Sequence, residues 1–306
     1  MVDLHGQYLK IKKEVDDAIQ GVIDSSAFIR GNDVRLFQDE LSAYMGVKHC
    51  IACGNGTDAL QVSLMALDLK AGDEVITTPF TFIATVEVIR LLGLKPVFVD
   101  VLPDTFNLNP DLLSQALSDR TRAIIPVHLF GQCADMKAIM EFARTNGLFV
   151  IEDNAQALGA EFLPEEGSAL KAGGIGHMGT TSFFPSKNLG AFGDGGAIFT
   201  NDESFGKKAA SLVNHGMKLK YHYDHVGVNS RLDTLQAAIL RVKLRQLDNY
   251  HMKRQEAAAW YDSSLSDLPE VILPFRSAFS THIFHQYTLQ LPYSHRDALR
   301  LFLQDK

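Results

Sequence analysis

The chain has 306 residues, 46% hydrophobic and 21% charged, with a net charge of −7. That is ordinary globular composition, ample for a large core and a smaller second unit. The acidic balance, with no Lys/Arg-rich run, argues against a nucleic-acid or anionic-membrane partner, because both require a basic face.

No apolar run approaches the ~18 residues of a membrane span. Three cysteines are too few for a disulfide framework, which points to a reducing cytoplasm. The first stretch, MVDLHGQYLKIKKEVDDAIQ, reads as an amphipathic helix and lacks the apolar core of a signal peptide. From residue 49 short strand-like runs alternate with helical patterns. The runs are HCIACG (49–54), EVITTP (74–79), KPVFVDV (95–101), RAIIPVHL (122–129) and FVIEDN (149–154). Between them lie TDALQVSLMALDL, FIATVEVIRLLG, NPDLLSQALS and ADMKAIMEFARTNG. This alternation predicts right-handed βαβ units, hence an α/β fold with a mixed, mostly parallel sheet flanked by helices. TSFFP (181–185) and GAIFTN (196–201) read as a hairpin closed by a Gly-rich turn.

Near residue 229 the pattern changes. Leu232, Leu235, Ile239, Val242 and Leu247 share one helical face, and Ser230 with Asp233 reads as a capping box that starts the helix there. The helix is long enough to link two domains, a large one over 1–245 and a small one over 246–306. Strand-like VILP and HIFHQYTLQLP follow, then an amphipathic HRDALRLFLQDK. A helix after two strands with no returning strand reads as a smaller, incomplete C-terminal α+β domain.

Chemistry concentrates in three places. CIACGNGTDAL spells G-x-G-x-x-A before a helical segment, where glycines let backbone approach an anion and the free N–H groups attract phosphate. The same turn serves a dinucleotide, a phosphate monoester or structure alone. A ribose-binding acid belongs at the carboxyl end of its strand, whereas Glu74 begins one, so the dinucleotide reading loses ground. Asp153 ends FVIED at the carboxyl edge of a parallel strand; the plainer reading is a solvated strand-end acid or a helix cap for NAQALG. Lys187, in SFFPSKNLGAFGDGG, follows an apolar run, where desolvation lowers an amine's pKa enough for imine chemistry. A solitary lysine is more often a solvated surface residue. Together, a phosphate cradle, a carboxylate and a reactive amine are what pyridoxal phosphate requires, and Phe82 in TTPFTFIAT offers an aromatic face for its ring. Cys50 and Cys53 form a C-x-x-C, read as packed thiols and not a metal site. His215, His222 and His225 lack a defined ligand geometry. His128, His282 and His285 lie in strand-like runs and read as structural.

GNGTDAL, TTPFTFIAT, IPVHLFGQCADM, VIEDNAQALGA, SFFPSKNLGAFGDGG and GVNSRLDTLQAAIL, in that order, resemble the DegT/StrS nucleotide-sugar aminotransferases. The resemblance runs from the N-terminal helix to residue 306. It implies a pyridoxal-phosphate enzyme of fold type I, with Lys187 as the Schiff-base lysine and Asp153 as partner of the pyridine nitrogen. It also implies Gln156 beside the cofactor's 3-hydroxyl, Gly56, Thr57 and Ser182 at the phosphate, and Phe82 stacked on the ring. Asn229 resembles the asparagine that reaches the phosphate of a neighbouring subunit, which implies a homodimer with shared sites. The implied activity moves an amino group from an amino acid, L-glutamate by expectation, to a UDP- or dTDP-linked keto-hexose for surface polysaccharide or glycoconjugates. Members of the family generally continue past this point with a segment that lines the substrate site. Three rival readings remain: an NAD-dependent dehydrogenase, a regulatory relative that binds pyridoxal phosphate without transferring an amine, and an anion-binding structural protein.

Overall fold

In a computed structural model, which describes residues 2–306, the strands in chain order are β1 (His49–Cys53), β2 (Glu74–Thr77), β3 (Lys95–Phe98), β4 (Thr121–Ile124), β5 (Phe149–Asp153), β6 (Glu161–Phe162), β7 (Leu170–Lys171), β8 (Met178–Ser182), β9 (Gly196–Thr200), β10 (Met217–Leu219) and β11 (His222–Tyr223). Seven of them form one sheet in the order β1-β9-β8-β5-β4-β2-β3, while β6–β7 and β10–β11 are separate two-stranded ribbons. β3, β2, β4, β5 and β8 run parallel; β9 runs against both its neighbours. β2 and β9 are buried along their whole length. That is why GAIFT in β9 and the Val75-Ile76 centre of β2 read as unbroken apolar or small residues and not as an alternation.

The helices are α1 (Leu4–Lys10), α2 (Lys12–Ser25), α3 (Asn32–Met45), α4 (Gly56–Ala66), α5 (Ala84–Leu91), α6 (Leu113–Ala116), α7 (Met136–Asn146), α8 (Glu203–Leu212), α9 (Thr234–Leu244), α10 (Leu247–Leu265) and α11 (Tyr293–Gln304). α3 buries Phe37, Leu41 and Met45, one face at i, i+4 and i+8, and packs on β1 and α9. α4 buries six residues because it lies between the sheet and the helices α5 and α8. No described helix is long and apolar enough to cross a membrane. Cys50, Cys53 and Cys133 are free and buried; burial pushes each thiol up, Cys133 to about 12, so they act as packing.

Several local expectations shift. The N-terminal amphipathic stretch is two helices, broken at Ile11 (φ −123°). The strand placed on TSFFP ends at Ser182, because Phe183 turns into the core and packs edge-on against Phe37 at 5.3 Å. The capping box at Ser230 does not form. Ser230 Oγ instead accepts from Gly54 N at 2.9 Å, Thr234 Oγ1 accepts from Gly31 N at 3.0 Å, and α9 starts at Thr234. Tertiary donors have taken the hydroxyls that a local cap would use. Leu232 therefore precedes α9, and Leu247 opens α10 beyond a break at Arg245–Gln246. VILP and HIFHQYTLQLP pair only through isolated bridges, Ile272 with Gln290 and His282 with Gln132.

Glu74 starts β2 at the sheet's amino edge, where Lys95 (2.9 Å), Arg120 (3.1 Å) and Ser118 converge on its carboxylate. The Ser118 hydrogen bond and then Lys95 hold it down at about 2, from an ordinary value of 4.5. A lowered folded value means the stabilisation is complete above pH 4.5 and disappears as pH falls through about 2. Since both cationic partners are largely exposed, Glu74→Gln is expected to cost only about 1 kcal/mol at neutral pH. Urea unfolding at pH 7 and near pH 2 checks this: the difference from wild type should vanish in acid.

Candidate active site

Parallel strands collect ligands at their carboxyl ends, and there the turn between β1 and α4 meets the ends of β5 and β8. Asn55, extended at φ −168°, caps α4 by accepting from Asp58 N at 2.8 Å. The N–H groups of Gly56 and Thr57 have no partner within the helix and stand at the positive end of its dipole. Two close approaches fix the turn. A Cβ on Gly56 would lie 2.6 Å from the Ser182 Cβ, and one on Gly196 would lie 2.9 Å from Gly56 N. Gly56→Ala is therefore expected to push Ser182 off the turn and weaken pyridoxal phosphate binding about tenfold, at the ~1–3 kcal/mol usual for overpacking. Fluorescence titration with pyridoxal phosphate measures it; unchanged affinity would remove this turn from the cradle.

Asp153 closes β5 and is 5% exposed. Thr85, at the start of α5, donates to its Oδ2 at 2.8 Å, and Ala155 N donates to Oδ1 at 3.2 Å, so the carboxylate is fixed with lone pairs to spare. Beneath it, Glu152 is fully buried. Its carboxylate accepts from the amides of Gly173, Ile175 and Gly176 at 2.8, 2.7 and 2.5 Å and from His128 Nε2 at 2.8 Å. Ala134 N donates to His128 Nδ1 at 3.1 Å, which assigns the proton to Nε2. His128 is thus structural, as expected, although β4 ends before it.

Lys187 follows β8 in the turn after Phe183 and is half-buried. Burial lowers its pKa below the usual lysine range, and the Asp153 charge partly opposes this. Both residues line one cleft of about 700 Å³ together with Gly56, Thr57, Phe82, Gln156 and Ser182. Seven of the eight residues expected at the site therefore converge. The eighth, Asn229, is exposed, bridges to Asn214 and lies outside this cleft. Phe82 is 69% exposed, an open aromatic face at the mouth.

Residues with no sequence signal join them. Asp194, Phe184 and Ser186 come from the loop around Lys187, and Thr81 from the TTPFTF turn. His285 and Gln286 come from the C-terminal segment, so His285, expected to be structural, also lines the cleft. Burial, then Lys187 and Arg254, push His285 down to about 3, so it is neutral. Its Nδ1 lies 3.1 Å from Asn188 Oδ1, which makes Nδ1 the donor and leaves Nε2 an acceptor. His282 is buried, stacked on Phe284 at 4.0 Å and outside the cleft. Among the described residues no group of three His, Cys, Asp or Glu side chains gathers to hold a metal ion.

The donor set fits pyridoxal phosphate. Unpaired helix amides beside a glycine that no Cβ could replace suit a phosphate. A buried, hydrogen-bonded carboxylate suits a ring nitrogen, and a desolvated amine suits a carbonyl carbon.

Comparison with known proteins agrees. Residues 9–306 match the model of the DegT/DnrJ/EryC1/StrS aminotransferase family. A pleiotropic regulatory protein of Geobacillus stearothermophilus is 46% identical over all of this chain and 81% of its own length. UDP-2-acetamido-2-deoxy-3-oxo-D-glucuronate aminotransferase of Pseudomonas aeruginosa is 47% identical over 95% of this chain and 79% of its own. UDP-N-acetyl-3-dehydro-alpha-D-glucosamine 3-aminotransferase of Acidithiobacillus ferrooxidans is 44% identical over 99% and 80%. Among solved structures, a family aminotransferase from Brucella abortus superposes with TM-score 0.94 at 40% identity, over 99% of this chain and 81% of that one. The ntda protein of Bacillus subtilis, with bound cofactor PMP, gives 0.86 at 32%, over 95% and 66%. The chain belongs to the DegT/DnrJ/EryC1/StrS aminotransferase family.

Proposed function

We propose that this protein is a pyridoxal-phosphate-dependent aminotransferase that moves an amino group from an amino acid, with L-glutamate as donor, to a nucleotide-linked keto-hexose. The observation that supports it is the convergence of Lys187, Asp153 and the α4 N-terminus in one cleft. The names of two relatives specify UDP-linked 3-oxo or 3-dehydro sugars, and we assign this chain a UDP-linked 3-keto sugar in preference to a dTDP-linked one. The product is an amino sugar for surface polysaccharide or glycoconjugates, made in the cytoplasm.

When bound, the cofactor supplies an electron sink for the charge left on the amino acid's α-carbon. Every other part falls to the chain. The Gly56 and Thr57 amides with Ser182 bind the phosphate. Asp153 keeps a proton on the pyridine nitrogen, and Phe82 covers the ring. Lys187 Nζ, whose pKa burial lowers, takes the proton from the donor's α-carbon. We take the division between the cofactor-binding unit 1–245 and the C-terminal unit 246–306 at the break between α9 and α10.

We further assign a homodimer in which Asn229 reaches the partner's phosphate. Its exposure outside its own cleft supports this, as do the apolar Ile29 (54% exposed), whose backbone bridges to Asp233, and Leu219 (67%) in β10. Mixing Lys187→Ala with Asn229→Ala protein should restore activity through hybrid dimers, and no restoration would deny the shared site.

The deciding experiment is a visible spectrum with pyridoxal phosphate, before and after L-glutamate and then a UDP-linked 3-keto sugar. A band that fades with glutamate and returns with the sugar establishes both half-reactions. A band that glutamate leaves unchanged would favour a regulatory role, for which the Geobacillus stearothermophilus relative gives a named precedent. No band would remove the cofactor.

A further inference from the structure

Phe130 occupies the left-handed region, φ 58° and ψ 2°, inside a single 3-10 turn at Leu129–Gly131. For a residue of this size that backbone costs roughly 1–2 kcal/mol. Such strain persists only where the surroundings over-determine it, commonly at functional sites. Three contacts do so here. The Phe130 N–H donates to Gln156 Oε1 at 2.8 Å, and the Phe130 carbonyl accepts from Gln286 N at 3.3 Å. The ring packs with Phe80 and Phe106, centroids 6.3 and 5.8 Å away. Gly131 continues the turn at φ 106°; its carbonyl accepts from Ile283 N at 2.9 Å, and a Cβ there would lie 2.8 Å from His285 N.

The two ends of a carboxamide are told apart by their partners. A backbone N–H can only donate, so Gln156 must turn Oε1 to Phe130, and its remaining end is the NH₂ group. Gln156 is half-buried and lines the cleft. We propose that Phe130 is a positioning residue: its left-handed peptide fixes the Gln156 carboxamide so that the cleft receives a hydrogen-bond donor there, matched to an acceptor oxygen on the bound cofactor ring. The C-terminal segment 283–286 locks that peptide from its carbonyl side. This rests on reading the cleft as the pyridoxal phosphate site.

The test separates backbone from ring. Asparagine tolerates left-handed backbone and lacks the ring, whereas β-branched valine resists it. Phe130→Asn should hold the pyridoxal phosphate dissociation constant within about threefold of wild type, and Phe130→Val should raise it about tenfold. The pH midpoint of the bound cofactor's visible band should move by about half a unit or more in Phe130→Val and stay in place in Phe130→Asn. In a Gln156→Ala background Phe130→Val should have no further effect on either quantity, the mark of a coupled pair. Circular dichroism of the cofactor-free proteins checks folding, and Phe130→Ala replaces a valine variant that does not fold. Equal damage from Asn and Val would assign the effect to ring packing and overturn the proposal. So would an unchanged Phe130→Val, or an effect that survives in the Gln156→Ala background. A wild-type protein with no band at all would instead overturn the cofactor reading on which the proposal stands.

Discussion

Lys187→Ala is expected to abolish amine transfer while leaving the protein folded. In the proposed role, removing the amine would take away both the covalent hold on the cofactor and the base that moves the proton. General acid–base catalysis alone contributes roughly 10²–10⁴-fold, so a fall of at least about a thousandfold is expected. Folding should be nearly untouched, because the side chain is half-buried and its ammonium form is disfavoured by that burial. Glutamate-driven loss of the cofactor band, followed in single turnover, measures the chemistry, and a melting curve measures the fold. Transfer at a normal rate would remove Lys187 from the mechanism; a collapsed melting curve would mean the residue is structural.

The second large effect is expected at Asp153→Asn, a substitution of equal shape. Thr85 can still donate to the amide oxygen, so one of the two hydrogen bonds survives, and stability should fall by about 1 kcal/mol. The charge proposed to face the cofactor's ring nitrogen would be lost. By the scale of other preorganised electrostatic contacts, the chemical step should slow by roughly a hundredfold or more. The substitution also carries a signed pH effect. Asp153 raises the Lys187 pKa against the lowering by burial, so without it the amine loses its proton at lower pH still. In cofactor-free protein the pH midpoint for Lys187 modification by an amine-reactive reagent should move down. A midpoint that moves up, or a rate unchanged by the substitution, would sever the link between the two residues.

The parts of this site that were legible in sequence are those fixed by short-range chemistry. GNGT before a helical pattern specifies a strand-to-helix turn with free amides, whichever molecule uses them. FVIED specifies a strand with an acid at its end. Lys187 after an apolar run admits a desolvated amine beside the plainer solvated one. The strand–helix alternation over 49–154 likewise predicted the parallel part of the sheet, and GAIFTN its antiparallel member, since each depends on spacing within about thirty residues.

What sequence left open depends on contacts between distant segments. The order β1-β9-β8-β5 sets strands some 150 residues apart side by side, and only that order lays Ser182 of β8 against Gly56 of α4. Ser230 was a plausible cap by its neighbours, but Gly54, 176 residues away, takes its hydroxyl. His285 and Gln286 enter the cleft from a segment with no regular pattern, held through main-chain bonds to Phe130 and Gly131. A single sequence carries the propensity of each segment; which donor finds which acceptor is settled only when the whole core packs and buried polar groups must be paired. So the sequence determined the sheet class, the strand-to-helix turn with its free amides, the acid that ends β5 and the lysine that follows β8. The tertiary structure decided how these meet in one cleft, and it alone produced the left-handed peptide at Phe130 that orients Gln156.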